Sequence, residues 1–530
     1  MRSKPSTLAL VLVLLLSSPA CSQVTLSPSP PIIPLPAETA GPSSTPTTAL
    51  TPTSEGTPTP TPEPATAAPN AFAVSPDATP PTTEPSEATT SKTPFPSPSP
   101  SAKPSLTPEP AAVWETTVTL NSYGWEQALR PSAPDSLYAP YPGLDFDAVT
   151  APTPHTYQAV ILENAYTRVT VAPELGGRIL QLEDLTTGQL LTYANPVIKP
   201  THWGYRGWWL ATGGIEWAFP VEEHGLNEYR SWSYELLAGD SWRGVRVWDT
   251  DDRTGLTVSI TLRLEQDRST LFIIPRISNP TASPQPLQFW INAMLTLSGH
   301  NSPSSSLRFW VPTDTMIVHS TNDSTLPQPR SLIDWPTHAG RDFSAYQEWH
   351  AYLGLFASQA RGAVGAYDSA SNQGIVRVYP QNGPQGVKIF CLGDIPSNVY
   401  TDDNSRYFEF WGGYNRTFFP EDTATLPAGE TIAWEEQWYP IHGIDILNWA
   451  NRDLAASLKR TGEGLIIGVY TPAPTALTLH LLQNGERKAE WSIQTGPEAP
   501  VRMLAPSTGE GWTLEIWEQE TLKATLFPTF

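Results

Sequence analysis

The stretch VILENAYTRVTVAPELGGRILQL, residues 160–182, decides the fold class. It contains three short apolar runs separated by turn residues, and apolar and polar side chains alternate over residues 167–171. Such alternation places successive side chains on opposite faces of a strand. Gly176 and Gly177 permit a tight turn before the third run. The stretch therefore predicts antiparallel strands joined by short turns.

The same texture continues over most of the chain. Runs rich in β-branched and aromatic residues recur, with turn residues about every ten positions, at 113–120, 190–193, 244–248, 257–264, 270–277, 286–294, 307–311, 362–367, 374–379, 387–392, 407–411 and 431–439. No long amphipathic helix pattern competes with them. We therefore predict an all-β fold, with one large β-domain over residues 113–443.

The C-terminal part has a different organisation. Residues 444–460 carry apolar side chains at helical spacing from Ile444 to Leu454, which predicts a connecting helix. Beyond it, the pair Asn484-Gly485 stands between two strand patterns and is a strong hairpin signal. We predict a small β-sandwich over residues 461–530.

The N-terminus has the composition of an export signal. Arg2 and Lys4 precede an apolar run, residues 8–16, that is too short to cross a membrane as a helix. Cys21 follows small residues and resembles the lipidated cysteine of bacterial lipoprotein signals. We predict a signal over residues 1–21, lipidation of Cys21 and an extracytoplasmic protein held at the cell surface. Plain secretion, with Cys21 left near a cleavage site, is the alternative.

Residues 22–112 predict a disordered linker. Residues 1–112 hold 26 of the 57 prolines and none of the 20 tryptophans, and serine and threonine fill much of the remainder. Such a chain buries too little apolar surface to offset the entropy lost on folding. We expect an extended tether that holds the folded part away from the surface to which Cys21 would be attached.

Charge and cysteine content exclude several classes of protein. The formal net charge is −21, and nucleic-acid binding needs clustered Lys and Arg to neutralise phosphate. We therefore predict no nucleic-acid partner, and contact with a membrane only through the lipid anchor.

Cys391 is the only cysteine besides Cys21, so no internal disulfide framework is expected. Its apolar neighbours suggest a buried residue of a strand.

Residues 206–225, RGWWLATGGIEWAFPVEEHG, have the composition of a sugar-binding cleft. Such a cleft requires aromatic faces, backbone room from glycine, and carboxylates that accept several hydrogen bonds. Glu216 follows two glycines, and its neighbours on the strand point to the opposite face. We predict that Glu216 is a catalytic or ligand-orienting carboxylate. The alternative is a buried glutamate bonded to backbone amides or to Arg206.

His224 follows Glu222 and Glu223. An imidazole beside carboxylates can transfer protons near neutral pH, so His224 is predicted as an accessory acid, with a plain surface loop as the alternative. No further ligand has zinc-site spacing, and no phosphate loop, dinucleotide fingerprint or nucleophile elbow is present. We predict neither a metal nor a cofactor.

Several motifs, in order, carry a family resemblance: LENAYTRVTVAPELGGRILQLEDLTTGQLLTYANPVIKP, RGWWLATGGIEWAFP, FWINAML, GAVGAYD, YFEFWGG and LPAGETIAWEEQWYPI. Over residues 160–441 the chain resembles the domain of unknown function 5107 family. The resemblance implies a galactose-mutarotase-like β-supersandwich with a carbohydrate cleft on one concave face. Mutarotases use a glutamate as general base and a histidine as general acid. Glu409, in YFEFWGG, occupies the region where they hold the base, which implies a second catalytic carboxylate.

Further residues are predicted to contact the sugar, because aromatic rings stack on sugars and Arg or Asn bonds hydroxyl groups. They are Trp208 and Trp209, with Trp203, for stacking, and Arg178, Arg206, Asn292 and Arg416 for hydrogen bonds. Each has a structural alternative. The tryptophans could belong to the core, Arg178 could pair with Glu174 or Glu216, and the others could satisfy core or turn groups.

These residues together predict an exported carbohydrate-binding protein. If it is an enzyme, Glu216, Glu409 and His224 would act at an anomeric centre or a glycosidic bond, as in an epimerase or a glycosidase. Two alternatives remain open: a lipoprotein that captures glycans without turnover, and a structural or adhesion module with a vestigial cleft. The sequence does not name the sugar or the linkage.

Overall fold

The computed structural model describes residues 110–204, 206–220 and 223–529. The predicted signal, Cys21, nearly all of the predicted linker and Glu222 lie outside the described residues. Within the described ranges, no helix is both long enough and apolar enough to cross a membrane.

Strands dominate the described chain. They are β1 (Ala112–Gly124), β2 (Leu129–Arg130), β3 (Gly143–Leu144), β4 (Thr150–Glu163), β5 (Thr167–Ala172), β6 (Arg178–Asp184), β7 (Gln189–Leu190), β8 (Ala194–Thr201), β9 (Trp209–Gly213), β10 (Ile215–Ala218), β11 (Ser233–Ala238), β12 (Trp242–Thr250), β13 (Thr257–Glu265), β14 (Leu271–Ser278), β15 (Gln285–Leu287), β16 (Trp290–Leu295), β17 (Leu307–Trp310), β18 (Thr315–Thr321), β19 (Leu332–Asp334), β20 (Thr337–His338), β21 (Arg341–Asp342), β22 (Leu353–Phe356), β23 (Ala363–Asp368), β24 (Gln373–Val378), β25 (Gly386–Cys391), β26 (Phe408–Gly413), β27 (Ala424–Leu426), β28 (Thr431–Ala433), β29 (Glu436–His442), β30 (Trp449–Ala450), β31 (Ala455–Thr461), β32 (Gly464–Tyr470), β33 (Thr475–Gln483), β34 (Glu486–Thr495), β35 (Val501–Ala505), β36 (Trp512–Glu518) and β37 (Thr521–Leu526). Short 3₁₀ helices occur at Glu126–Ala128, Phe146–Ala148, Pro173–Leu175, Tyr346–Glu348, Ser397–Val399 and Pro420–Asp422. The predicted all-β fold is confirmed.

Two large sheets form the main body. The larger has the order β19-β18-β22-β25-β26-β16-β10-β6-β5-β4-β1-β8-β9, with β7 beside β6. The second has the order β11-β12-β13-β14-β29-β24-β23-β17, with β28 beside β14. One apolar cluster contains Ile215 and Phe410 from the larger sheet and Ile260 and Trp438 from the second, so the two sheets pack face to face.

Period-two patterning produces this packing. Along β13, TVSITLRLE, every second residue from Val258 to Leu264 is buried, and the residues between them are half-buried. The turn between β5 and β6 contains Gly176 at φ 75° and Gly177 at φ 65°, values that favour glycine. The tight turn predicted from these glycines is present.

A small β-sandwich follows the main body, as predicted. Its two sheets have the orders β30-β31-β32-β35 and β34-β33-β36-β37 and share an apolar core that includes Ile467, Leu479 and Ile516. Asn484 and Gly485, at φ 53° and 82°, join β33 to β34 in the predicted hairpin.

The helix predicted over residues 444–460 is wrong, because this segment contains β30 and β31. Ile444 packs in a cluster with main-body strands, whereas Leu454 packs in the core of the small sandwich, so the apolar residues do not share one face. The Asn451 side chain accepts hydrogen bonds from the backbone amides of Asp453 and Leu454. Such local side-chain bonds compete with helix formation.

Arg377 on β24 links the two large sheets. Its guanidinium forms a buried ion pair with Glu436 on β29, with nitrogen-to-oxygen distances of 2.6 and 2.8 Å. It also donates a 3.1 Å hydrogen bond to the backbone oxygen of Gly386 on β25, in the other sheet. A Cβ at Gly412 on β26 would collide with this guanidinium. The absence of a side chain at Gly412 therefore leaves room for the Arg377 guanidinium.

We predict that Arg377→Met lowers stability by about 3–5 kcal/mol, because it leaves the Glu436 carboxylate buried without its partner. The double variant Arg377→Met/Glu436→Met should lose less than Arg377→Met alone, since no unpaired charge remains. Urea unfolding followed by tryptophan fluorescence measures both.

The control is Arg308→Met, which breaks an exposed pair with Asp342 and should cost less than about 1 kcal/mol. Equal losses in the single and double variants at Arg377 would contradict the prediction.

Candidate active site

One row of side chains crosses four neighbouring strands of the larger sheet. The antiparallel register pairs Glu216 on β10 with Asn292 on β16, Asn292 with Trp411 on β26, and Trp411 with Lys388 on β25. Residues that are directly paired point to the same face of a sheet. Their strand neighbours, such as Ile215 and Phe410, lie in the core between the sheets. The row therefore occupies the opposite face.

Four donors surround the carboxylate of Glu216, whose side chain is 1% exposed. Trp209 Nε1 and Asn292 Nδ2 donate hydrogen bonds of 3.1 and 3.0 Å. His224 Nδ1 lies 2.7 Å from Oε1, and an Arg178 terminal nitrogen lies 3.5 Å from Oε2. Burial raises the pKa of Glu216, but the charges of His224 and Arg178 and the hydrogen bonds from His224 and Asn292 outweigh it and hold the pKa below 4.5. Glu216 is therefore a fixed anion.

His224 lies in the turn after β10 with φ 62°, a left-handed conformation that is uncommon for a residue other than glycine. Its ring packs between Trp209 and Trp411, with centroid distances of 4.5 and 5.3 Å. Burial lowers the pKa of His224, but the charge and hydrogen bond of Glu216, with the charges of Glu409 and Glu223, raise it above 6.5 overall. Because Nδ1 faces Glu216, Nε2 is the nitrogen left to face a ligand.

Glu409 lies on β26, two residues before Trp411 and on the same face of the sheet. Its Oε2 accepts a 2.8 Å hydrogen bond from Trp411 Nε1. Burial raises the pKa of Glu409 above 4.5, and the charges of His224 and Lys388 offset only part of that effect. The two buried carboxylates near His224 thus have pKa values shifted in opposite directions.

Sequence reasoning missed Lys388 and His319 at the other end of the row, although it included Glu223. Lys388, 1% exposed, forms an ion pair with Glu223, and its ammonium lies 4.5 Å from the centre of the Trp411 ring. Burial raises the pKa of Glu223, but Lys388 outweighs it and brings the pKa to about 2. Burial and the charge of Lys388 lower the pKa of the neighbouring His319 to about 3. A single lysine inside the apolar strand VKIFC was the available signal.

Only some of the residues predicted to contact the sugar lie beside Glu216. Arg178, Trp209 and Asn292 contact Glu216, as described above. Trp208 is buried elsewhere, beside Trp125 and Tyr229 at centroid distances of 6.1 and 5.3 Å. Arg206 forms an ion pair with Glu228 and stacks on Trp208, so it is not the partner of Glu216 that the sequence allowed.

Arg416 also lies outside the group. It is exposed, and its contact is a 3.4 Å hydrogen bond to Gln385. Glu174 does not pair with Arg178 either, because its carboxylate accepts a hydrogen bond from the backbone of Gln158. Arg178 therefore follows the alternative of an ion pair with Glu216.

The geometry of the group does not favour a metal ion. Among the described residues, no three His, Cys, Asp or Glu side chains are placed to hold one. The Glu216 oxygens already accept from Trp209, Asn292 and His224. The Arg178 guanidinium, 3.5 Å from Glu216 Oε2, would also repel a cation.

Comparison with solved structures shows a related fold. The chain is similar to a TPR-domain containing protein from Parabacteroides distasonis, with 23% identity, a TM-score of 0.55, and coverage of 64% of this chain and 57% of that chain. The chain thus spans little more than half the length of that protein, and the likeness concerns the fold alone. It is also similar to a galactose mutarotase-like protein from Clostridium acetobutylicum, with 12% identity, a TM-score of 0.41, and coverage of 54% and 96%.

The family model described as domain of unknown function (DUF5107) matches residues 135–441, more than half of the chain. The matched range contains the whole group around Glu216, including His224, Lys388 and Glu409. It ends one residue before the end of β29, the last strand of the second large sheet. The chain therefore belongs to the DUF5107 family.

Proposed function

We propose that the protein binds a sugar over the Glu216 row, which is formed by Glu216, Asn292, Trp411 and Lys388. There it interconverts the anomers of the sugar by proton transfer, with His224 as acid and Glu409 as base. One observation carries the proposal: two buried carboxylates, Glu216 and Glu409, flank one histidine and have oppositely shifted pKa values. Buried titratable groups with perturbed pKa values that gather around one histidine are typical of sites of proton transfer.

The reaction needs one group that holds a proton and one that lacks it. Ionised Glu409 accepts the proton of the anomeric hydroxyl while His224 Nε2 donates a proton to the ring oxygen. The bond between the anomeric carbon and the ring oxygen breaks, and a carbonyl forms at the anomeric carbon. Rotation about the adjacent carbon–carbon bond and the reverse proton transfers close the ring as the other anomer. Both side chains return to their starting states.

Glu216 has a positioning role in this scheme. Its bond to Nδ1 fixes the orientation of the His224 ring and stabilises the imidazolium, as a buried carboxylate does for a catalytic histidine elsewhere. Since four donors engage its carboxylate, Glu216 is poorly placed to attack an anomeric carbon. Glycosidic hydrolysis with Glu216 as nucleophile is therefore supported less well than anomer interconversion.

We also propose that the protein is exported. Arg2, Lys4 and the apolar run over residues 8–16 support a signal, and Cys21 supports a lipid anchor followed by a long proline-rich tether. The folded part would then meet its sugar outside the cytoplasm.

We predict that the wild-type protein accelerates the optical-rotation change of a freshly dissolved aldose anomer. Glu409→Gln should slow this catalysis by about 10²- to 10⁴-fold, because it removes the base. Polarimetry across a panel of aldoses measures both rates. Glu435→Gln is the control, since Glu435 pairs with Arg263 away from the row.

Saturation-transfer NMR on the same panel separates the alternatives. Sugar binding without any acceleration of the optical-rotation change would favour glycan capture. If the protein neither binds a sugar nor accelerates the change, a structural module is favoured.

We predict a bell-shaped pH profile for kcat/KM. Activity should rise as Glu409 loses its proton, above its ordinary pKa of 4.5, and fall as His224 loses its proton, above 6.5. Glu216→Gln should move the falling limb to lower pH, because the charge that raises the pKa of His224 is gone. A falling limb that stays in place in Glu216→Gln would contradict the positioning role.

We predict that Cys21→Ala moves the full-length protein from the membrane fraction to the soluble exported fraction of a bacterial host. It should also abolish incorporation of labelled palmitate, because the acylated thiol is removed. Cys391→Ala, at a buried strand position, is the control that keeps the label. A wild-type protein without label would exclude the anchor.

A further inference from the structure

Trp290 extends the candidate active site beyond the Glu216 row. It lies on β16 two residues before Asn292, so both side chains point to the same face. Its ring occupies the space that a Cβ at Gly413 or Gly386 would fill, and it therefore lies across β26 toward β25. Phe418 and Phe356 enclose it, at centroid distances of 4.6 and 5.8 Å.

Two buried polar atoms here have no hydrogen-bond partner among the described residues: Trp290 Nε1 and Asn292 Oδ1. The side chains are 1% and 0% exposed. A buried donor or acceptor without a partner is costly, and native proteins contain few of them. One atom is a donor and the other is an acceptor, and they belong to neighbouring side chains on one face.

The surroundings favour a neutral group. The charge of Lys388 is balanced by Glu223, and the aromatic rings of Trp411, Phe356 and Phe418 supply apolar walls. An ionised carboxylate could accept from Trp290 Nε1, but it would face the lone pairs of Asn292 Oδ1. A hydroxyl group both accepts and donates, so it can satisfy both atoms, whereas an ionised carboxylate can only accept.

We propose that Trp290 Nε1 and Asn292 Oδ1 form a subsite for one hydroxyl group of a neutral sugar. Trp290 donates to the hydroxyl oxygen, and the hydroxyl donates to Asn292. This subsite rests on the proposed function, because it takes the ligand to be a sugar, and it adds the class: a neutral sugar rather than a uronic acid. Since Asn292 also bonds Glu216, the hydroxyl contact places the ring beside His224.

The test combines one protein change with one ligand change. Trp290→Phe removes the N–H and keeps an aromatic ring, and a series of monodeoxy hexoses removes one hydroxyl group at a time. Isothermal titration with the full chain should show that wild type binds one deoxy sugar roughly tenfold or more weakly than its parent. Trp290→Phe should weaken the parent by a similar factor and that deoxy sugar little further. The matching uronic acid should bind wild type more weakly than the hexose.

Trp517→Phe is the matched control, because Trp517 lies on β36 and its Nε1 bonds Glu515. It should leave every affinity unchanged. The deoxy series on wild type needs no variant, so it tests the subsite even if Trp290→Phe does not fold.

Four results would overturn the subsite. Wild type that binds all deoxy sugars alike, or Trp290→Phe that binds the parent as wild type does, would mean that only water satisfies these atoms. A preference for the uronic acid would exclude the neutral class. Wild type that binds no sugar would overturn the proposed function together with the subsite, whereas the other three results leave the proposed function standing.

Discussion

The buried carboxylate of Glu216 is the group on which the candidate active site depends. An ionised carboxylate removed from water is unstable unless charges and hydrogen bonds replace its hydration. Here Arg178 from β6, Asn292 from β16 and Trp209 from β9 supply them, together with His224 from the turn after β10. The carboxylate therefore ties three strands to the turn that carries the candidate acid. The contacts that stabilise the buried anion also position the candidate acid.

The fold was predictable because its signals are local. Alternation along a strand and the pair Asn484-Gly485 report backbone geometry within a few residues, and the structure follows them. The orientation of Glu216 was predictable for the same reason, since its apolar strand neighbours Ile215 and Trp217 lie in the core, whereas its role in the site stays a prediction. The hydrogen-bond partners of Glu216 were less accessible, because Asn292 and Trp411 become neighbours only through strand pairing.

The predictions that failed also depend on contacts between residues that are distant in sequence. The apolar spacing between Ile444 and Leu454 matches a helix, but its residues enter two separate cores, and a single sequence does not reveal how many cores exist. Trp208 and Arg206 lie beside Trp209 in sequence, and this proximity predicts a shared site. The structure directs them to Tyr229 and Glu228 instead, away from Glu216.

Glu223 and His224 are consecutive, yet their side chains reach different strands, Lys388 on β25 and Glu216 on β10. Two further strands, β16 and β26, lie between these anchors. If any of the four strands slipped by one residue, its members of the row would turn into the core, because side chains alternate between faces. The Glu223–Lys388 and His224–Glu216 ion pairs could not then form in the same chain. Placement of the candidate acid therefore depends on correct strand alignment, and a mispaired chain would lose the contacts that hold His224 as well as stability.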